Sequence, residues 1–353
     1  MRILITGICG FVGSTIARRL RETSEELEIF GFDNFVRPGS ELNRLRLRHA
    51  GIEVGHADLR NASDIEVLAK ADWVIDAAAN PSVLAGVDDK TSSRQVVEHN
   101  LLGTINLLEY CKRHGAGFIL LSTSRVYSTK SLNKIRVAVD GNAYRPDPNS
   151  WPRGVSAAGV SEDFSTDPPL SLYGATKLAS ESLALEYGEA FDFPVWINRC
   201  GVLAGAGQFG RADQGIFSFW INSWLRWKPL KYIGFEGRGY QVRDCLHPAD
   251  LVPLLKKQMS VRSASRRIFN IGGGIANCMS LAQLSDWCSK RFGPMEIIAD
   301  PKPRRFDVPW LVLDSGRASH ELGWKVQTPI ESLLDEIAAH GKTHPDWLEL
   351  SAP

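Results

Sequence analysis

The sequence predicts an α/β protein: a parallel, doubly wound sheet with crossover helices, followed by a smaller, mixed C-terminal unit. Three observations lead there. Over the first 200 residues, short apolar runs alternate with longer stretches whose apolar residues recur three and four apart, the patterns of buried strands and of amphipathic helices. The first apolar run passes at once into a glycine-rich turn that opens a helical pattern. Beyond residue 200 the alternation breaks up into stretches rich in glycine, proline and tryptophan.

Taken in order, RILIT, EIFGFD, VGHAD, WVIDAAA, FILLSTS and PVWINRC read as strands, and STIARRLRET and NLLGTINLLEYCKRHG as helices between them. Strands separated by helical patterns form parallel sheets with the helices as crossovers. SLYGATKLASESLALEY, residues 171 to 187, is a further helix. Between Val126 and Ser171 neither period is clear. A loop of that length inside a compact domain is usually functional or disordered, so a partly ordered excursion near the mouth of the site is expected. FSFWINSWLRWKPL puts Trp220, Trp224 and Trp227 on one helical face. A sugar-stacking wall or a membrane-surface helix would share that pattern, but a stripe at this period is mostly packing, and a core or interdomain helix is expected.

A chain of 353 residues, 44% of them hydrophobic, suffices for one large α/β domain with an appendage or for two modest domains. Forty-one basic residues against forty acidic leave a net charge of +1. That balance gives no electrostatic reason to expect nucleic acid or an anionic membrane as partner, and a small-molecule substrate is the default. The six cysteines form no C-x-x-C pair and the eight histidines show no ligand spacing, so reduced thiols, a cytoplasmic setting and no metal are expected. MRILITG is too short an apolar stretch for a signal peptide or a membrane span.

TGICGFVG sets Gly7, Gly10 and Gly13 between the first strand and its helix. Glycines so spaced permit a tight turn and let backbone and helix N-terminus approach a pyrophosphate. Asp33 ends the second strand 20 residues after Gly13, where a carboxylate accepts hydrogen bonds from the adenosine ribose of NAD. Arg37, four residues on, could hold a 2′-phosphate instead, which keeps NADP open. Asp58 closes the third strand, within reach of an adenine or as a turn former.

On the 171 to 187 helix, Tyr173 and Lys177 lie four apart on one face. A phenol has a pKa of about 10, and ionising it at neutral pH costs roughly 4 kcal/mol unless a cation offsets this. Lys177 and a positive nicotinamide ring could do so together. Upstream, LSTSRVYS at 121 to 128 sets three hydroxyls in a row at a strand end with Arg125 behind them.

Together TGICGFVG, Asp33, the alanines at 77 to 79, LSTSRVY and YGATK resemble the extended short-chain dehydrogenase/reductase family over nearly the whole chain. QVRDCLH, FNIGGG and RRFDVPWLVLD followed by LGW are similar to the nucleotide-sugar-binding half of such enzymes, and DNFVRPGSELN and GQFGRADQG to the CDP-paratose (CDP-tyvelose) 2-epimerases. The resemblance implies a Rossmann-type NAD-binding domain from 1–198 with about 240–265, and a nucleotide-sugar-binding domain from 199–239 and 266–353. It implies that NAD is held by Gly7, Gly10, Phe11, Val12, Gly13, Asp33, Asn34, Arg37, Asp58, Leu59, Ala77, Ala78, Ala79, Asn100, Ser122, Tyr173, Lys177 and Arg199. Thr123 would bond the reacting sugar hydroxyl, Tyr173 would take its proton, and Lys177 would hold the nicotinamide ribose and lower the tyrosine pKa. Ser124, Gln208 and Gln214 would meet the substrate, and Arg243 and Arg304 its diphosphate.

Related 4,6-dehydratases and sugar-acid decarboxylases carry a carboxylate between that threonine and the Val-Tyr pair; here Ser124 and Arg125 stand there. An epimerase needs no such group, and the resemblance of DNFVRPGSELN and GQFGRADQG implies a nucleotide-sugar 2-epimerase. A 4-epimerase or 4-reductase stays open, and from another class a non-catalytic NAD-binding regulator, against which the three retained side chains argue. Ser128, Ala204, Ile8 and Cys9 depart from the family pattern and leave the sugar undefined. Helices at 100 to 114 and 173 to 190 match those that pair across a two-fold axis in the family, so a homodimer is implied.

Overall fold

The computed structural model of the chain describes residues 1–87, 92–261 and 266–351. Five strands open the fold: β1 (Arg2–Thr6), β2 (Glu28–Asp33), β3 (Glu53–His56), β4 (Trp73–Asp76) and β5 (Gly117–Thr123). With Val195–Cys200 and Ile268–Ile271 they form one seven-stranded sheet, ordered Ile268–Ile271, Val195–Cys200, β5, β4, β1, β2, β3, and every pairing in it is parallel. The strand order reverses between β1 and β4. In such sheets the crevice at the carboxyl ends beside that switch point takes the ligand.

Both faces of the sheet are covered along its inner strands, which is why β1, β4 and β5 read as near-continuous apolar runs, whereas in the edge strand β3 only Val54 is buried. In β1, Ile3 and Ile5 pack on one side with Ile16, Ala17 and Leu20 of helix Phe11–Thr23 and Leu251, Leu254 and Leu255 of helix Leu251–Ser260. Leu4 points to the other side, toward Leu107, Leu108 and Cys111 of helix Gly103–His114 and Ala184 of helix Leu172–Ala190. Gly115, in the left-handed conformation (φ 63°), ends helix Gly103–His114.

A second sheet joins Val242–Leu246 to Val202–Leu203, Cys278–Ser280 and Trp310–Leu311. Helices Ile216–Leu225, Leu281–Phe292 and Ile330–Thr343 bury Trp220, Trp224, Trp287, Leu334 and Ile337 beside it. Trp220 and Trp224 are each 2% exposed, as expected of a packing stripe, but Trp227 is 63% exposed. The helix stops at Leu225, the Lys228 N–H closes back on the Ser223 carbonyl at 3.0 Å, and Trp227 takes a positive φ of 53°, off the helical face.

The stretch from Val126 to Ser171 is more ordered than its sequence implied. It holds the helix Thr129–Leu132 and two antiparallel hairpins, Val137–Asp140 with Ala143–Pro146 and Val155–Ser156 with Gly159–Val160. Its Tyr127, Leu132, Ile135, Val155 and Phe164 form a core with Val308, Trp310 and Val312 from the far end of the chain. Those long-range partners supply the apolar face that the segment lacks by itself. Among the described residues, no helix is long and apolar enough to cross a membrane, and no group of three or more His, Cys, Asp or Glu side chains is placed to hold a metal ion.

Candidate active site

At the carboxyl end of β1, Gly7 turns with φ 58°, and a Cβ on it would meet the Ala78 Cα at 3.0 Å. A Cβ on Gly13 would overlap the Gly7 carbonyl oxygen. The turn therefore packs against the end of β4 and against its own helix only because both positions are glycine. Helix Phe11–Thr23 starts from Gly10 with no side-chain cap and no acid in its first turn. Its first N–H groups, those of Phe11, Val12 and Gly13, thus face outward as a ready anion site. The Thr6 hydroxyl donates to Asp76 Oδ1 (2.7 Å) and accepts the N–H groups of Ala77 and Ala78 (3.2 and 3.1 Å). Ala77 to Ala79 are fixed beside the glycine turn as a result.

Asp33 is buried at the lip of this turn, where Oδ2 accepts the Cys9 N–H (3.1 Å) and Oδ1 that of Phe35 (2.8 Å). Burial raises its pKa from the ordinary carboxylate value, and those backbone hydrogen bonds oppose the rise. Asn34 donates to Asp58 (3.2 Å), whose carboxylate is forked by Arg60 at 2.6 and 3.0 Å and held well below the usual range. Leu59 fills the space that the missing Cβ of Gly103 leaves. Arg37 turns away from this group: it donates to Gln214 Oε1 at 3.1 Å and to the Phe209 carbonyl. Free helix N–H groups, a glycine cradle and a carboxylate at the end of β2 together fit a dinucleotide.

Thr123 ends β5, and its hydroxyl accepts the Arg125 N–H (3.1 Å) at the start of a tight turn, Ser124–Val126. Ser124 is buried in that turn. Ser171 caps the long helix Leu172–Ala190 through the Gly174 N–H (3.0 Å), which sets Tyr173 and Lys177 one turn apart on the side facing β5. Both are buried, 8% and 1% exposed. Burial pushes the Tyr173 phenol up to about 12, while a hydrogen bond with the Thr123 side chain and the charge of Arg125 pull it down. The Lys177 pKa is lowered by burial, opposed by Asp76 and Glu181. Arg125 is thus a cation acting on the phenol, and Asp76 and Glu181 act on Lys177.

Asn100 sits in a π-turn, Glu98–Leu102, a geometry that recurs at functional sites. Its Oδ1 accepts the Asn80 N–H (2.8 Å) and its Nδ2 donates to the Asn80 carbonyl (3.1 Å) and Thr176 Oγ1 (3.3 Å), tying the loop after β4 to the Tyr173 helix. Ser122 and Arg199 lie beneath the site. Both bond Glu181, Arg199 with 3.1 and 2.7 Å contacts, and Arg199 reaches the Tyr127 hydroxyl at 3.4 Å.

On the other side of Tyr173, Arg243 Nη2 bonds Asp307 Oδ1 and the Val308 carbonyl, both at 2.8 Å. Arg304 and Arg125 share this cluster through their mutual charge effects. Gln208 and Gln214 lie apart from it, in the 207–215 loop near Arg37; Gln208 Nε2 donates to the Leu203 carbonyl (2.7 Å). Arg125, which the sequence singled out without giving it a role, and Asp307 and Glu181, which it did not name, join the predicted residues at the site. A cation set directly behind a row of hydroxyls, and a glutamate one turn beyond Lys177, were the signals available for two of them.

The model of the NAD dependent epimerase/dehydratase family matches residues 3–272. The chain is 29% identical over 307 residues to a CDP-paratose 2-epimerase of Salmonella typhi, covering 82% of this chain and 85% of that one. It is 26% identical over 343 residues to a UDP-glucuronate 4-epimerase of Thermodesulfobacterium geofontis, covering 94% and 93%. Among solved structures, a UDP-glucuronic acid 4-epimerase of Bacillus cereus in complex with NAD superposes with a TM-score of 0.75 at 25% identity, over 97% of this chain and 99% of that one.

Proposed function

Because the chain belongs to the NAD dependent epimerase/dehydratase family and is an NAD-dependent enzyme, we propose that it epimerises a nucleotide sugar, with CDP-paratose 2-epimerase the nearest reading. The carrying observation is that the helix of Tyr173 packs against the turn at the carboxyl end of β5, where a Cβ on Gly174 would overlap the Arg125 carbonyl, and that Thr123 is followed there by Ser124 and Arg125 and no carboxylate. The Thr123 hydroxyl positions the substrate hydroxyl, and Tyr173 takes its proton as the carbon gives up a hydride and becomes a ketone. The keto sugar presents its other face, regains the hydride there and takes the proton back from Tyr173. Bound NAD supplies the reversible hydride acceptor and a positive ring near the phenol.

A phenol at about 12 costs about 7 kcal/mol to ionise at pH 7, at about 1.4 kcal/mol per unit. Tyr173 thus keeps its proton in the free chain, and its basicity depends on the charges that close in when the site is filled. Lys177 would hold the nicotinamide ribose, and Arg243 and Arg304 the diphosphate, which guanidinium forks suit. The 4-epimerase reading has its own support in the similarity to UDP-glucuronate 4-epimerases. On the same reading the active species is a homodimer across helices Gly103–His114 and Leu172–Ala190, beside which Leu102 is 38% exposed; light scattering would give a mass twice 39.0 kDa.

The test incubates wild type and Tyr173→Phe with CDP, UDP, GDP and dTDP sugars and follows C2 and C4 by NMR. Wild type should invert one of these carbons without added reductant. Tyr173→Phe should lose at least about a hundredfold in rate, within the range for removing a general base. Inactivity of wild type on the whole panel, or equal rates for both proteins, would overturn the reading.

A further inference from the structure

We propose that Arg125 is the residue that reads the glycosyl ring, its guanidinium binding an oxygen acceptor of the sugar beside the carbon on which Tyr173 and Thr123 act. The inference rests on the nucleotide-sugar reading above and deepens it. Two backbone contacts fix where the side chain starts. The Arg125 N–H is held by the Thr123 hydroxyl at 3.1 Å. Its carbonyl oxygen lies so close to Gly174 that a Cβ there would overlap it, so residue 125 is pinned to the turn carrying Tyr173.

From that start the guanidinium runs into the cleft, where Nη1 reaches the Phe306 carbonyl at 3.3 Å. Its remaining donors meet no acceptor among the described residues. Asp307, the carboxylate that acts on it, is already bonded to Arg243 at 2.8 Å. Arg125 is half-buried, so those donors stay open to water and to an incoming ligand, and burial lowers its pKa to about 10. A ligand oxygen would supply the missing acceptor.

The chemistry of that oxygen follows from the surroundings. Arg125, Arg243 and Arg304 act on one another with Asp307, and Asp244 on Arg243, as the carboxylates that oppose them, leaving an excess of positive charge that the diphosphate of a nucleotide sugar would balance. Arg125 sits nearest the reacting groups, so the acceptor it meets belongs to the sugar: a ring hydroxyl or keto oxygen, or a carboxylate where the sugar is a uronate. The same contact keeps a cation beside the phenol during turnover.

Calorimetry on the NAD-loaded protein separates these roles, using CDP, UDP, UDP-glucose and UDP-glucuronate against wild type, Arg125→Ala and Arg125→Lys. Arg125→Ala is expected to leave the affinity for CDP and UDP within about twofold and to weaken the preferred nucleotide sugar at least about tenfold, as loss of a charged hydrogen bond does. Arg125→Lys should recover part of this, millimolar guanidinium should restore part of the Arg125→Ala turnover, and the rising limb of its kcat against pH should move to higher pH. A larger loss for UDP-glucuronate than for UDP-glucose identifies a carboxylate; equal losses identify a ring oxygen. Equal weakening of CDP, UDP and their sugars would overturn the proposal in favour of a diphosphate clamp, and so would unchanged sugar affinity in Arg125→Ala with an unchanged melting curve. A wild type that binds no nucleotide sugar would overturn the parent reading as well.

Discussion

Removing the Glu181 carboxylate should destabilise the chain more than removing any surface charge. Its partner Arg199 is almost wholly buried, with side-chain exposures of 6% and 2% for the two residues. Glu181→Ala strands that guanidinium, and breaking a buried pair from one side costs about 3–5 kcal/mol. Tyr187→Phe, which removes an exposed hydrogen bond to Glu109, should cost under about 1 kcal/mol. Urea denaturation of both variants at pH 7 checks the contrast. The pair also marks a limit of reading residues one at a time. Tyr173 and Lys177 are legible because a helix sets them one turn apart, whereas a helical glutamate and a strand arginine 18 residues on share no period. Their meeting exists only once the helix is laid on the sheet.

At the scale of elements, the C-terminal helices hold the 207–215 loop. Phe209 stacks on Trp347 at 5.2 Å, the Trp347 indole N–H donates to the Gln208 carbonyl at 2.8 Å, and His340 packs on His344 at 4.0 Å and edge-on to Trp347 at 4.6 Å. Burial, then His344 and Arg46, lower the His340 pKa from about 6.5 to about 4, with Glu336 opposing. The unfolded chain therefore binds the proton first as pH falls through 6.5. Stability is intact above that pH and is lost progressively down to about 4. The shift corresponds to an upper bound of about 3 kcal/mol, and partial solvent contact reduces it to about 1–2 kcal/mol. His340→Gln should flatten the fall in melting temperature between pH 6.5 and 4.5; a slope unchanged from wild type would contradict this. The six strand readings fell on sheet strands, five of them because buried parallel strands need near-unbroken apolar runs; in the sixth, the edge strand β3, only Val54 is buried. The 126–171 segment and the end of the tryptophan stripe did not show in the sequence, because distant partners and a reversed turn decide them.

Across the whole molecule, the reversal of strand order gathers the glycine turn, Asp33 and Ala77 to Ala79 at one crevice, and the chain comes back to Arg37 through the 207–215 loop. Cofactor choice depends on both ends of that path. The Asp33 carboxylate stands where the adenosine ribose would lie, and a 2′-phosphate there would face a like charge, a juxtaposition worth several kcal/mol. Arg37 cannot relieve it, since its guanidinium is held by Gln214 and the Phe209 carbonyl, 177 and 172 residues away in sequence. NAD should thus bind more than about a hundredfold tighter than NADP. Asp33→Asn should narrow the ratio by about tenfold or more, chiefly by improving NADP, because the repulsion goes while the side-chain oxygen still accepts from Cys9 or Phe35. Adding Gln214→Ala should narrow it further, by freeing one arm of Arg37 to swing toward the ribose. Tryptophan fluorescence titrations with each dinucleotide measure both ratios, and equal affinity of wild type for the two would show that the cation, and not Asp33, governs the pocket.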